Sequence, residues 1–194
     1  MKRLLKDCNR ALLLFLAVSA IAALYPIYKI ISYEFPFTQP AVYKFEIEAL
    51  DPYDSFRGRY IVLSPRANIV IAENGEDFSG GRYVYAVVAK GKDGFAKIVS
   101  LSLRQPHVPS LKIRSPYPES EYPGLKKGES AYRVELPFTK YFMNEKTAPK
   151  AEELTAKMLR RGVKTAAVVK IYSDGNYSVA DIEIGGRSIR EYLK

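Results

Sequence analysis

The sequence predicts a mainly β (α+β) fold class: an antiparallel β-rich domain, closed into a barrel or packed as a sandwich, after one N-terminal transmembrane segment. Three observations predict it. A basic N-terminus precedes an uninterrupted apolar run, several later segments alternate apolar and polar residues, and a single later stretch has the pattern of a helix. At 194 residues with 47% hydrophobic content, the chain can bury one sizeable core.

The N-terminus predicts the compartment. Residues 1–10 carry four cations against one acid, and residues 11–31 are almost entirely apolar. About 20 such residues can cross a bilayer at about 1.5 Å per residue. The basic flank stays in the cytoplasm, so the sequence predicts a single-pass protein of the cytoplasmic membrane whose C-terminal domain lies outside, periplasmic or extracellular. The alternative is a removed signal peptide, because Ala20-Ile21-Ala22 resembles a small-residue cleavage site.

Composition excludes several kinds of site. One cysteine, Cys8, and one histidine, His107, leave no disulfide framework and no cysteine-based zinc site, so we expect no metal and no cofactor. The net charge of +9 raises the question of nucleic-acid binding. The outer part has no run of more than two consecutive cations, however, which favours a solvated basic surface near anionic lipid and predicts no nucleic-acid partner.

After a proline-containing linker at 32–40, the domain at 41–194 is mostly β. Residues 42–50 alternate as an entry strand, and two hairpins, at 82–104 and 166–184, each turn at an Asp-Gly pair. One packed helix is predicted at 149–161, with proline in its first turn and glycine after its end.

The two hairpins suggest an internal duplication. Residues 85–103 align without gaps on 166–184, an offset of 81 (166 minus 85), which superposes the Val-Val and Asp-Gly pairs of both hairpins. Upstream, the pattern of 43–47 recurs at 132–136. Our hypothesis is that two related halves each contain an entry strand, a long connection and a hairpin. The alternative is that two valine-rich hairpins align by chance.

The connection at 51–65, DPYDSFRGRYIVLSP, concentrates polar and aromatic side chains. Asp51 and Asp54 could form an acid/base pair in an exported enzyme, since like charges push two carboxyl pKa values apart. The same residues suit a structural turn in which Arg57 pairs with an aspartate. A Ser-Lys hydrolase is the other enzymatic alternative, with three candidate nucleophiles: Ser55, Ser64 and Ser100.

This connection resembles the DPxDxxRG run and the following GDYxxLxY motif of a family of bacterial membrane-anchored proteins named for the second motif. The matching residues are Asp51, Pro52, Asp54, Phe56, Arg57, Gly58, Tyr60 and Leu63. Arg59 stands where the motif has Asp, and Pro65 where it has its last Tyr. The change at Arg59 argues against an obligatory catalytic acid at that position.

A second segment, YFMNE at 141–145, is similar to the YFVPEG segment of the same family, and IGGRSI at 184–189 is similar to its IDGK-like ending. Together with the N-terminal membrane segment, these matches extend the resemblance over nearly the whole chain. It implies location, architecture and a multi-spanning membrane-protein partner, and it supplies no reaction. We therefore expect a non-enzymatic envelope module that binds or supports a membrane partner. Its binding residues are expected in the long connections, because loops on a rigid scaffold tend to carry function. The predicted binding residues are Asp51, Asp54, Arg57, Tyr60, Tyr141, Phe142 and Glu145.

Overall fold

A computed structural model describes the backbone of residues 2–34, 39–48, 60–66, 68–72 and 76–194. Within these ranges it describes all side chains except those of 2–9, 11, 32–34, 60 and 62. The chain divides into two compact units, 1–39 and 40–194.

The first unit contains one helix, α1 (Lys2–Glu34), which includes Pro26. Its stretch Leu12–Ile31 is 20 residues long and apolar enough to cross a membrane, and the side chains there are exposed except that of Lys29, which is partly exposed. At about 1.5 Å per residue, this length matches the roughly 30 Å hydrocarbon core of a bilayer. The prediction of an apolar N-terminal helix is therefore confirmed, and a signal sequence would have the same form.

The second unit is mainly β, as predicted. Its strands are β1 (Ala41–Glu48), β2 (Tyr60–Val62), β3 (Ser64–Pro65), β4 (Asn68–Ala72), β5 (Val84–Lys90), β6 (Ala96–Ser102), β7 (Ser110–Ile113), β8 (Tyr117–Pro118), β9 (Ser130–Val134), β10 (Lys140–Phe142), β11 (Thr165–Ile171), β12 (Tyr177–Ile184) and β13 (Arg187–Ser188). Its helices are α2 (Ala148–Arg160) and α3 (Ile189–Tyr192).

The strands pair in four sheets, with the orders β13-β12-β11-β1-β3, β10-β2, β4-β9-β8 and β6-β5-β7, and every pairing is antiparallel. Across the described strands each sheet ends at an edge strand, so the closed barrel that we considered is not formed. One core cluster draws residues from all four sheets.

The hairpins β5–β6 and β11–β12 have the same register. Each of the six residue pairs of β5–β6 corresponds to a residue pair of β11–β12 when 81 is added to both residue numbers. The pair Tyr85↔Ser102, for example, corresponds to Ala166↔Glu183. Both contain a one-residue bulge at the same place, which leaves Val99 unpaired in one and Ala180 in the other.

The two turns are equivalent as well. In the first turn Gly91 N–H donates to the Phe95 carbonyl at 2.7 Å, and in the second Tyr172 N–H donates to the Asn176 carbonyl at 2.9 Å. In each, the aspartate accepts a hydrogen bond from the backbone N–H two residues later. A shared register, bulge and turn are more than chance alignment of valine-rich strands would give, and they support the duplication hypothesis.

The halves are joined by exchange of strands. We define the first half as residues 41–102 and the second half as residues 110–184. Entry strand β1 of the first half pairs with β11 of the second, and β7 of the second pairs with β5 of the first. Likewise β2 pairs with β10, and β4 pairs with β9. Each half therefore completes the sheets of the other.

One part of the duplication hypothesis is wrong. The pattern shared by 43–47 and 132–136 suggested equivalent entry strands, but β1 lies beside a hairpin strand, whereas β9 pairs with β4 and β8. The structural counterpart of β1 is β7, because both pair with the first strand of a hairpin. Alternation of apolar and charged residues is common to any strand with one buried face, so five residues of it do not identify an equivalent position.

Helix α2 matches the predicted helix to within one residue at each end. Ala148, Ala151 and Thr155 are its buried residues, while Leu154 and Met158 pack against the core at partial exposure. The helix packs against β2 and β11, and so against both halves. The Thr155 hydroxyl donates to the Ala151 carbonyl at 2.7 Å, which satisfies the one buried polar side chain of this face.

Candidate functional site: the Phe142 surface

Three of the predicted binding residues, Asp51, Asp54 and Arg57, lie outside the described residues, as does Ser55. Tyr60 is described as backbone only, as the first residue of β2. We call Asp51, Asp54, Arg57 and Tyr60 the first predicted cluster, and Tyr141, Phe142 and Glu145 the second. Of the first cluster, the structure describes only the Tyr60 backbone.

Strand β2 places the backbone of Tyr60 beside the second predicted cluster. Strands β2 and β10 form a two-stranded antiparallel ladder in which Tyr60 pairs with Phe142 and Ile61 with Tyr141. The Leu63 N–H extends the ladder by donating to the Thr139 carbonyl at 2.8 Å. Two segments that lie 80 residues apart in the sequence are thus cross-strand neighbours.

Tyr141 and Phe142 have opposite environments, as alternation along a strand requires. Tyr141 is 3% exposed, so its ring belongs to the core and is not available as a contact surface. Its hydroxyl accepts hydrogen bonds from Arg190 Nε at 3.2 Å and from a terminal guanidinium nitrogen at 3.1 Å. These bonds raise the pKa of Arg190, and the neighbouring Asp181 carboxylate at 4.0 Å acts in the same direction.

Phe142 is 69% exposed and lies between two grooves. The first groove, of about 410 Å³, separates β10 from the start of β12, and the second, of about 480 Å³, is lined by residues 142–146, including the exposed Glu145. The first groove is lined by Pro137, Phe138, Thr139, Lys140, Phe142, Tyr177, Ser178 and Val179. We call Phe142 and these two grooves the Phe142 surface.

Tyr177 fixes one side of the first groove. Its hydroxyl donates to the Pro137 carbonyl at 2.8 Å, and its ring lies edge-on to the buried ring of Phe138 with the centroids 5.7 Å apart. Burial raises the pKa of the Tyr177 phenol above its usual 10.0, so this hydroxyl remains a donor throughout the physiological range. The groove is lined mainly by apolar atoms with a single cation and no acid, which suits an apolar segment of a ligand.

Sequence reasoning missed Tyr177 and Arg190. Tyr177 opens the second strand of a recognised hairpin, where it is indistinguishable from a scaffold residue. Arg190 follows Ser188, whose side chain accepts a hydrogen bond from the Arg190 N–H and caps α3. In the sequence, this capping serine is the local signal for a final helical turn that carries Arg190.

The described part of the chain shows no Ser-Lys pair, and Asp51 and Asp54 of the acid/base alternative lie outside it. Ser64 lies in β3, paired with Glu48 of β1, and Ser100 is exposed on β6. No hydrogen bond links either hydroxyl to a lysine in that part. Among the described residues there is also no group of three or more His, Cys, Asp or Glu side chains placed to hold a metal ion.

Comparison with known proteins gives one match. The family model described as GDYXXLXY protein matches residues 22–182, which include the end of α1, both predicted clusters, the first hairpin and all of the second hairpin except Glu183 and Ile184. No curated protein and no solved structure matches the chain with significance.

Proposed function

Because the chain belongs to the GDYXXLXY protein family, we propose that it is a membrane-anchored extracytoplasmic module that binds a multi-spanning membrane protein through the Phe142 surface. In this proposal α1 holds the second unit at the outer face of the cytoplasmic membrane, and the module has no catalytic step of its own. Asp51, Asp54 and Arg57 contribute to the contact from the connection that ends at β2.

The observation that carries the proposal is the exposure of Phe142. Large aromatic side chains are enriched at protein interfaces, where they supply much of the binding energy. At 69% exposure, the ring of Phe142 stands at the boundary of two grooves, and its backbone pairs with the last described residue of the first cluster, Tyr60. An aromatic side chain flanked by grooves is a surface that a partner can cover with good shape complementarity.

The matched test compares Phe142→Ala with Tyr117→Ala. Both replace an exposed aromatic residue, since Tyr117 on β8 is 59% exposed and lies outside the Phe142 surface. Membranes are solubilised, the chain is purified by a C-terminal tag, and the recovered membrane proteins are quantified. We expect Phe142→Ala to reduce recovery of a specific partner by about tenfold or more, the effect of losing an interface hot spot, and Tyr117→Ala to leave it unchanged. Equal recovery with both variants would reject the proposal.

Membrane anchorage is tested separately. We expect the purified protein to retain residues 2–34 and to remain in the membrane after alkaline carbonate washing, because 20 apolar residues hold a helix in the bilayer. A phosphatase fused to the C-terminus, active only outside the cytoplasm, should be active. N-terminal sequencing that begins near residue 23 would show that the segment is a removed signal peptide and would reject the anchor.

A further inference from the structure

The two hairpin turns differ in how they contact the rest of the fold. Three contacts hold the second turn, 172–176. A Cβ at Gly175 would lie 3.1 Å from the Tyr85 ring, and the Gly175 carbonyl accepts a hydrogen bond from the Lys112 N–H at 2.9 Å. The side-chain amide of Gln105 donates to another carbonyl of the same turn. The second turn is therefore packed against the sheet that contains β5 and β7.

The first turn, 91–95, has none of these contacts. The residues equivalent to Tyr85, Gln105 and Lys112 are Ala166 (85 plus 81), Gly186 (105 plus 81) and Glu46, which pairs with Ala166 as Lys112 pairs with Tyr85. A methyl group cannot reach as far as a phenol ring, and glycine has no side-chain amide to donate. Within the described residues, no hydrogen bond joins 91–95 to residues 110–184, and a Cβ at Gly94 would meet nothing within 4 Å.

A groove of about 390 Å³ lies between the first turn and the start of β11. The Phe95 ring and the Ala166 methyl group line it, and three glycines border it without side chains: Gly94, Gly185 and Gly186. The groove shares no residue with the Phe142 surface, and its volume lies in the range of small-molecule sites. Because Ala166 stands where the other half has Tyr85, the groove corresponds to the space that an aromatic ring occupies in the equivalent contact.

The charges that line the groove leave one cation in excess. Both acids are already paired with lysines, Glu183 with Lys44 at 2.7 Å and Asp93 with Lys97 at 3.5 Å. The ammonium of Lys164 lies 5.6 Å from the centroid of the Phe95 ring and, in the part of the chain that the structure describes, has no carboxylate partner. A cation beside an aromatic face suits a ligand that has both a ring and a negative charge.

We propose that this groove binds a small aromatic carboxylate. The ring of the ligand lies where Tyr85 lies in the other half, and its carboxylate accepts a hydrogen bond from the Lys164 ammonium. The site goes beyond the proposed function and is independent of the Phe142 surface. A bound ligand would hold the first turn against β11 as Tyr85 holds the second turn against β5.

The probe is 4-hydroxyphenylacetate, titrated against the full chain in detergent and followed by ligand-observed NMR. Two related probes separate the ring from the charge: 4-hydroxyphenylacetamide keeps the ring without the charge, and acetate keeps the charge without the ring. We expect the amide to bind about tenfold more weakly, the effect of losing one hydrogen bond to a charged group, and acetate to show no saturable binding. Bound 4-hydroxyphenylacetate should slow hydrogen exchange of the amides in 91–95 and leave those in 172–176 unchanged.

Three variants test the assigned residues. Lys164→Gln should weaken binding of 4-hydroxyphenylacetate by about tenfold and leave binding of the amide unchanged. The matched control, Lys170→Gln, removes an exposed cation of β11 that lies outside the groove and should change neither. Ala166→Tyr copies the ring of the other half into the groove and should abolish binding of both probes. Near-ultraviolet circular dichroism checks that each variant folds, and the two lysine variants decide the test if Ala166→Tyr does not.

Four results would overturn the proposal. They are no saturable binding of 4-hydroxyphenylacetate by the native chain, equal affinities in Lys164→Gln and Lys170→Gln, a folded Ala166→Tyr that binds as the native chain does, and exchange that is slowed equally in both turns. None of these measurements depends on the partner pull-down. Loss of the partner in Phe142→Ala with no binding of the probe would retain the proposed function and reject the aromatic carboxylate site, and the converse pair of results would do the opposite.

Discussion

Separating the two halves should abolish folding. If the chain is expressed as two fragments, 1–106 and 107–194, we expect neither alone to give near-ultraviolet circular dichroism or resistance to protease, and we expect both to be recovered when the fragments are co-expressed. The cut falls between β6 and β7, where Gln105 and His107 are exposed. This is the largest effect that the fold predicts.

The physical reason is the exchange of strands. The fragment 107–194 retains the hairpin β11–β12 but lacks β1, the strand that covers the other edge of β11. It also lacks β2 and β4, the partners of β10 and β9. An isolated hairpin is at best marginally stable, and three unpaired edges expose backbone groups that the intact chain satisfies.

A control distinguishes the effect of breaking the chain from the effect of removing the exchanged strands. A protease site inserted between residues 106 and 107 of the intact chain, cut after folding, should leave a stable complex of the two pieces in detergent. An independently folded 107–194, with a cooperative unfolding transition of its own, would contradict the exchange of strands between halves.

Sequence reasoning was most successful where structure is local. Each hairpin is formed by residues close in the chain, and its Asp-Gly turn and alternating valines are visible in a short window, so both hairpins and their offset of 81 could be predicted. Helix α2 was predicted for the same reason. The duplication became visible because two local elements share a register.

Pairing between distant segments could not be predicted in this way. Nothing in 43–47 indicates that its partner is β11 rather than a neighbouring strand, since any strand edge offers the same backbone groups. The same limit applies to the site. Alternation requires that Tyr141 and Phe142 face opposite sides, but only the position of Arg190 and the core shows that Tyr141 is the buried one.

The equivalent turns also allow a matched pair of substitutions. Gly94 and Gly175 occupy the same turn position with φ of 84° and 81°, in the left-handed region that side chains disfavour. A Cβ at Gly94 would meet nothing within 4 Å, whereas at Gly175 it would lie 3.1 Å from the Tyr85 ring and 3.3 Å from Lys112 Cβ. The two positions therefore share the backbone strain and differ in packing.

We expect Gly94→Ala to lower the free energy of unfolding by about 1–2 kcal/mol, the cost of a left-handed alanine. Gly175→Ala should cost about 1–3 kcal/mol more, because the second turn is fixed against β5 and β7 and its neighbours must move to admit a methyl group. The Lys112 N–H donates to the Gly175 carbonyl at 2.9 Å. The turn therefore cannot move away from β7 without breaking this contact between the sheet that contains β11 and β12 and the sheet that contains β5, β6 and β7.

The measurement is chemical denaturation of the full chain in detergent, followed by tyrosine fluorescence, with Gly94→Ala as the control for backbone strain. Equal losses in the two variants would mean that the second turn does not pack on the first hairpin's sheet as the structure has it. A larger loss at Gly175 would establish that the contact between hairpins contributes to stability, because strain alone is the same at both positions. That contact lies between β11–β12 and the sheet of β5 and β7, so the substitution measures how firmly one half holds the other.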